Sequence, residues 1–423
     1  MSPSLEGAGF QLAERSASGL GRAFSGEAAI ADDASVIASN PAAMILLGGG
    51  WDYSISASYI RPSVDVSGVA TAPASAGGVA LSPAKDKSVI DQAVVPSVYL
   101  SKRLSDDWVA GLGVYTTYGL KTDYSDNFAN LAATDHSELL SFNINPAVAW
   151  RMNDQFSFGG GIDFFYGEGT LNSAGPLALR LPPSPLPVGN FLNLEGDDWA
   201  VGFNVGLLWE VTDRTRIGVH YRSPIELNLE GHADVGGAFS VIGASLPTPV
   251  SVAPGRYDAS LDVKLPDTVE VSLYHELSDT FAVHADVLWT NWSQFDSLAP
   301  QVQGTGADAF VNATSLTNED WEDTFRYSIG ATWKAREDLT LRAGLAYDES
   351  PVGDENRTLR IPDGDRFWVS LGFTYHLSES YNLDFGYTHI FADPNQIDAN
   401  ESFFTGEAEG DVDLVSIGLS GSF

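Results

Sequence analysis

The chain has no cysteine, which removes disulfides, zinc-thiolate sites and thiol nucleophiles from consideration. No stretch approaches 18 consecutive apolar residues, so no transmembrane helix is expected and none reads as a signal peptide. Met1–Gly7 (MSPSLEG) reads as a start standing where a cleaved leader would have been. Cations are scarce: 22 Lys and Arg face 56 Asp and Glu, for a net charge of −34 and a pI near 4.2. Phosphate backbones would be repelled, which excludes a nucleic-acid partner. The seven histidines are scattered with no pair at ligand spacing, and no metal or cofactor is expected. His284 and Asp286 read as a hydrogen-bonding pair on one strand face.

What the chain does have is 47 aromatic residues and 42 glycines at a mean hydropathy of −0.04. That composition suits many strands joined by tight turns. Alternation confirms the period. In "DLVSIGLSGSF", Val415, Ile417, Leu419 and Phe423 share one face, while Leu414, Ser416, Gly418 and Ser420 share the other. "FWVSLGFTYHL" and "WAVGFNVGLLW" repeat the pattern, with small residues opposite the apolar ones. Aromatic residues bracket the runs: Trp199 and Trp209 cap one, Trp51 and Trp108 open two, and Trp150 closes another. Ten residues at ~3.3 Å rise, tilted by ~40°, cover about 25 Å, the height of the apolar band of an outer-membrane barrel.

Fourteen alternating runs lie near 51–61, 94–103, 107–119, 137–152, 155–171, 195–211, 214–230, 257–276, 279–297, 321–336, 338–349, 366–378, 380–392 and 412–423. The expected fold is therefore all-β, a fourteen-stranded antiparallel transmembrane β-barrel spanning 51–423, closed in the cell outer membrane of a Gram-negative bacterium. Short links are periplasmic turns; 172–194, 231–256, 298–320 and 393–411 are outside loops. A lumen of this width exceeds what wall side chains fill. The Gly/Ala/Ser-rich start, residues 1–50, breaks at Asn40-Pro41 and is expected to sit inside as a small plug. The acidic loops read as solvated faces that keep the molecule soluble, with cation or lipopolysaccharide-linked Ca²⁺ binding at the cell surface the alternative; outer-membrane lipid and lipopolysaccharide are the expected surroundings. A monomer is expected.

These residues resemble the FadL family of outer-membrane long-chain fatty acid transporters from Ala8 to Phe423. "AGFQL" (8–12), "SGLGRAFSGEAAIADDAS" (18–35) and "NPA" (40–42) are similar to its N-terminal hatch. "YGLKTDY" (118–124), "YRS" (221–223), "LPDTVEVS" (265–272), "TNWSQF" (290–295) and "SPVGDENRTLRIPDGDRFW" (350–368) match further blocks. The resemblance implies capture of a hydrophobic molecule among outer loops, passage to a lumen pocket, and lateral exit at a kinked third strand. Gly119 would mark the kink, Phe10 the apolar gate, and Asn40, Pro41 and Ala42 the hatch anchor, with Phe10 and Asn40 lining the gap. Fatty-acid carriers of the family hold the carboxylate with an Arg and a Lys, and the resemblance places Ser173 and Glu322 at those positions. Neither can form a charge-assisted clamp. Arg326, Lys334, Arg357 and Arg366 are the cations that could replace it; neutral hydrocarbons, which need no clamp, are the alternative cargo. The dense charges from Asp348 to Arg366 are expected to hold the hatch. A barrel hydrolase built on Ser370, His376 and Asp384 is the remote alternative, and the chain is not expected to be an enzyme.

Overall fold

The computed structural model describes residues 9–423 apart from 49, 72–79, 126–127, 129–135, 174–191, 236–238, 242–249, 307, 309–311, 313–316, 355, 379 and 400–403. Met1–Gly7 and most of the expected 172–194 loop thus lie outside the described residues. Among the described residues the alternating runs form a closed antiparallel barrel of fourteen strands. In chain order the first seven are β1 (Trp51–Thr71), β2 (Ala80–Asp86 and Ala93–Arg103), β3 (Trp108–Tyr115 and Leu120–Asp123), β4 (His136–Arg151), β5 (Phe156–Ser173), β6 (Leu192–Thr212) and β7 (Thr215–Arg222 and Ile225–Val235). The others are β8 (Gly255–Leu265 and Thr268–Glu276), β9 (Phe281–Thr290), β10 (Thr324–Arg336), β11 (Leu339–Asp348), β12 (Arg366–Ser378), β13 (Tyr381–Ala399) and β14 (Phe404–Ser422). Each strand pairs with its chain neighbours, and β1 closes the wall on β14 from Asp52–Ser422 up to Ala70–Phe404.

Several strands run well past their expected ends. β1 continues to Thr71, β13 reaches Ala399 and β14 begins at Phe404, so most of 393–411 is wall and not loop. β9 stops early, at Thr290, and Trp292–Gln294 is a turn of 3-10 helix. For β1 the cause is an inversion of polarity along the strand. Low on β1, Ser54, Ser56 and Ser58 face inward and buried while Ile55 and Tyr59 are exposed to lipid. Higher up, the same inward parity carries Ile60, Val64 and Val66, and the outward side carries Arg61 and Asp65. The apolar face is lipid-directed in the membrane and lumen-directed above it, so the alternation breaks in sequence where the strand does not. Lower down, Trp108 stacks on Trp150 at 6.0 Å, Phe156 on Trp209 at 5.8 Å and Trp51 on Phe423 at 6.4 Å, a girdle beside the short turns.

Residues 9–48 pack against the inner face of the wall, and nearly all are buried. The segment holds two short helices, Ala17–Leu20 and Val36–Ser39, and two 3-10 turns, Glu27–Ala29 and Pro41–Leu46. Small wall residues make room for it. A Cβ on Gly372 of β12 would stand 2.6 Å from the Cα of Gly21, and one on Gly159 of β5 would overlap Pro41 and Ala42. The small inward positions of the strands are therefore the seat of this segment.

Candidate functional site

The wall is interrupted in β3. Its ladder to β4 stops at Tyr115–Asn143 and resumes at Leu120–Leu139, so β3 spends one residue more than its partner. On the other side, β2 pairs with β3 only up to Val98–Val114. Above that, Ala93–Ser97 bond β1 alone, and the next link is the isolated bridge Ile90–Thr122. The N-terminal segment takes up the freed backbone. Gln11 bridges Tyr118, Leu12 N donates to Thr117 O at 2.8 Å, and Gly119 N donates to Phe10 O at 2.9 Å. Gly119 thus ends a four-residue interruption that the segment covers from inside.

Phe10 is buried in an aromatic cage, with ring centroids 4.9 Å from Trp292, 5.2 Å from Phe295, 5.6 Å from Trp321 and 6.0 Å from Tyr118. The cage belongs to a continuous apolar cluster in the upper lumen that includes Val66, Leu120, Leu139, Phe165, Leu227, Leu265 and Phe404. Tyr118 donates its hydroxyl to Pro266 O at 2.9 Å, at the point where β8 is itself interrupted. The break in the wall, the start of the segment and the apolar cluster therefore meet at one place.

The expected head-group cations do not converge. Glu322 is exposed, and the side chain of Ser173 lies outside the described residues. Arg326 and Lys334 both face inward on β10 but stand eight residues apart, ~26 Å along a strand. Arg326 is buried between the rings of Phe24 and Trp368, at 5.9 and 5.7 Å. Lys334 sits at the short-turn end, where its N–H bonds Thr280 O. Arg357 is consumed by the backbone oxygens of Val352, Asp363 and Gln396 and by the Asp354 carboxylate. Arg366 pairs with Asp363, whose Oδ2 accepts from Gly9 N at 2.9 Å and from Ser350 at 2.9 Å. This group of charges holds the start of the segment.

Sequence reasoning missed Arg360. It lies between Leu359 and Ile361, both part of the apolar cluster, and donates to Ser137 Oγ at 2.9 Å on β4. Its carbonyl accepts from Thr122 just above the β3 break. Burial pulls its guanidinium below the ordinary arginine value, with Glu319 opposing. A cation flanked by two apolar residues in an otherwise polar block was the available signal.

Asn40 does not line the gap. It is bound three strands away, donating to Leu207 O of β6 at 3.1 Å and to Ala28 O at 2.7 Å, while its Oδ1 caps the turn at Ala42 N. Pro41 opens that turn, where its fixed φ and missing N–H cost nothing. Deeper in the lumen, Arg22 pairs with Glu27 and Asp32 at 2.6 and 2.8 Å, and Arg342 of β11 reaches Asp32 at 3.2 Å. Burial works against the Asp32 charge, but Arg342 and Arg22 outweigh it and hold the carboxyl at about 2. His284 and Asp286 do not bond each other: His284 meets Ser25 at 2.7 Å, and Asp286 accepts from Ser272. Ser370, His376 and Asp384 likewise have separate partners, Thr388, Asn382 and Ser420. No hydrolytic trio is assembled there.

A closed wall with a lipid-facing apolar band and an internal N-terminal segment defines a plugged β-barrel of the outer membrane. The family described as outer membrane protein transport protein (OMPP1/FadL/TodX) matches residues 1–423, and the chain belongs to it. It is 32% identical over 414 residues to the long-chain fatty acid transport protein of Salmonella typhi, covering 95% of this chain and 91% of that one. It is 34% identical over 419 residues to a 47 kDa outer membrane protein of Pasteurella multocida, covering 97% and 93%. Among solved structures, a Pseudomonas aeruginosa FadL homologue superposes with a TM-score of 0.81 at 21% identity, covering 98% of this chain and all of that one. The Pseudomonas putida toluene transporter TodX gives 0.72 at 17% identity, covering 99% of each. At those identities the two structures speak for the fold alone.

Proposed function

We propose that this protein takes up long-chain fatty acids across the outer membrane by diffusion, with lateral exit at the interrupted third strand. The observation that carries the reading is the coincidence of the β3 break, the Phe10 cage and the apolar cluster, with Arg360 at the cluster's edge. Relatives about a third identical over almost the whole chain bear the name long-chain fatty acid transport protein, which supports this cargo. An alkyl chain entering the cluster gains ~0.8 kcal/mol per CH₂ removed from water. Its carboxylate needs a cation or suffers a penalty of several kcal/mol, and Arg360 supplies one. Residues 1–50 act as the hatch of a 51–423 barrel: Phe10 is the gate, Asn40, Pro41 and Ala42 are the anchor, and Arg357 and Arg366 hold Gly9 through Asp363. The chain works without catalysis, as a monomer whose wall closes on itself, and its acidic outer strand surfaces meet lipopolysaccharide.

The test compares binding of oleate with that of an alkylbenzene of similar length, in the natural protein and in Arg360→Gln. Oleate should bind at least about tenfold more tightly, and the variant should lose that margin. Equal binding of both ligands, unchanged by the substitution, would replace fatty acid by neutral hydrocarbon as cargo.

A further inference from the structure

Beneath the internal segment, at the short-turn end of the barrel, lies a cavity of about 580 Å³ whose roof is Ile30, Ala31 and Asp32. The chain has 22 Lys and Arg in 423 residues, so its eighteen lining positions should hold about one cation; they hold four, Arg216, Lys334, Arg336 and Arg342. Three carboxylates share the lining. Asp32 is taken by Arg22 and Arg342, and Asp384 by Thr374 and Ser420, while Glu337 lies exposed on the turn at the rim. Arg336 is paired with Asp338 at 2.8 Å. Arg216 and Lys334 have no ion pair among the described residues, and Arg216 instead lies over the Tyr274 ring at 4.3 Å. Arg342, itself more than nine-tenths buried, has an Nε–H without a hydrogen-bond partner.

We propose that this vestibule is a second binding site, specific for an alkyl carboxylate, on the periplasmic side of the hatch. The volume is that of a small-molecule site. Arg216 and Lys334 supply the charge for a carboxylate head, the Arg342 Nε–H is a further donor, and Ile30, Ala31 and the Tyr274 ring offer the apolar surface a short stretch of tail would cover. The site also touches the hatch. An anion on Arg342 competes with Asp32, which ties the roof to β11, so occupancy below loosens the segment from beneath. An ionised cargo molecule thereby has a water-facing way out as well as a lipid-facing one. The identity of the ligand rests on the fatty-acid reading; the site itself rests on the cavity and its cations.

The experiment titrates full-length protein in neutral detergent with decanoate, decanol and inorganic phosphate near neutral pH, by calorimetry. Decanoate should show two classes of site and decanol one. Arg216→Gln combined with Lys334→Gln should weaken one decanoate class by about tenfold or more and leave decanol unchanged. Arg360→Gln should weaken the other decanoate class, so failure of the cargo reading is seen separately. Heat-modifiable gel migration shows whether each variant is folded. A single decanoate class in the natural protein overturns the proposal, as does a double variant that keeps both classes. Phosphate displacing decanoate from the lower site at equal concentration also overturns it, by reassigning the vestibule to small inorganic anions.

Discussion

Gly21 and Gly372 meet back to back: a Cβ on either would lie within 2.8 Å of the other's Cα. Both atoms belong to backbone, so neither can rotate away. Gly372→Leu should therefore push the N-terminal segment off β12 at a cost of at least ~1–3 kcal/mol, while the strand ladder, which needs no side chain there, persists. Limited proteolysis should cut the segment in the variant and spare it in the natural protein, with both still migrating as folded barrels before boiling. Asp32 sets a pH window. Its folded-state value of about 2 lies below the ordinary ~3.9, so the contribution is complete above that ordinary value and is lost only as pH falls through about 2. Hydrogen exchange around Asp32 should stay slow on acidification to about pH 4 and quicken below pH 3. Quickening already at pH 5 would show that Arg22 and Arg342 do not hold it.

At the scale of elements, β3 has missing ladder bonds that, among the described residues, the hatch replaces. The Gln11–Tyr118 bridge puts two backbones at antiparallel spacing, within reach of a disulfide. The chain has no cysteine of its own, so a Gln11→Cys, Tyr118→Cys pair can bond only to itself. Oxidised, it should lock the segment over the break and abolish uptake; reductant should restore it. Uptake that survives oxidation would mean that cargo never passes the β3 interruption. Prolines mark other interruptions, at Ser223-Pro224 in β7 and Pro266-Asp267 in β8, and these lie side by side in register, with Ile225 opposite Leu265 and Arg222 opposite Thr268. Paired breaks let the upper part of that hairpin bend inward, and Leu227 packs over Gly167 of β5.

For the whole molecule, the lumen has two layers. Below, the ion pairs of Arg22, Asp32 and Arg342 and the seat of small residues hold the hatch. Above, the aromatic and aliphatic cluster closes around Phe10. Because the wall closes between β1 and β14 without help from the hatch, deleting residues 9–47 should leave a folded barrel. Its lumen should then be a wide aqueous pore, since fourteen strands enclose more than their own side chains fill. Single-channel recording in a planar bilayer should show conductance rising many-fold over the natural protein. An unchanged conductance would place the ion barrier in the wall or the loops.

Period-two alternation, the Trp and Phe girdle and the absence of any long apolar run determined the barrel from sequence alone, because lipid imposes one apolar face on every strand. The fourteen strands were legible for the same reason, and so was the N-terminal plug, whose small residues lack a strand pattern and do not look like a disordered tail. Strand ends were not legible. Above the membrane the apolar side of β1 moves from Ile55 and Tyr59 to Val64 and Val66, and only the folded wall shows that the even-numbered positions, Ser54 to Ser58 as well as Val64 and Val66, all face inward. The site was legible in part: Gly119 and Phe10 are brought together, whereas Asn40 is held at β6. Arg326 and Lys334, close in sequence, are separated by strand extension, and Arg360 is carried into the cluster by a loop folded back across the lumen. Proximity along a strand is set by the ~3.3 Å rise per residue, but proximity across a barrel is set by closure, which no local pattern encodes.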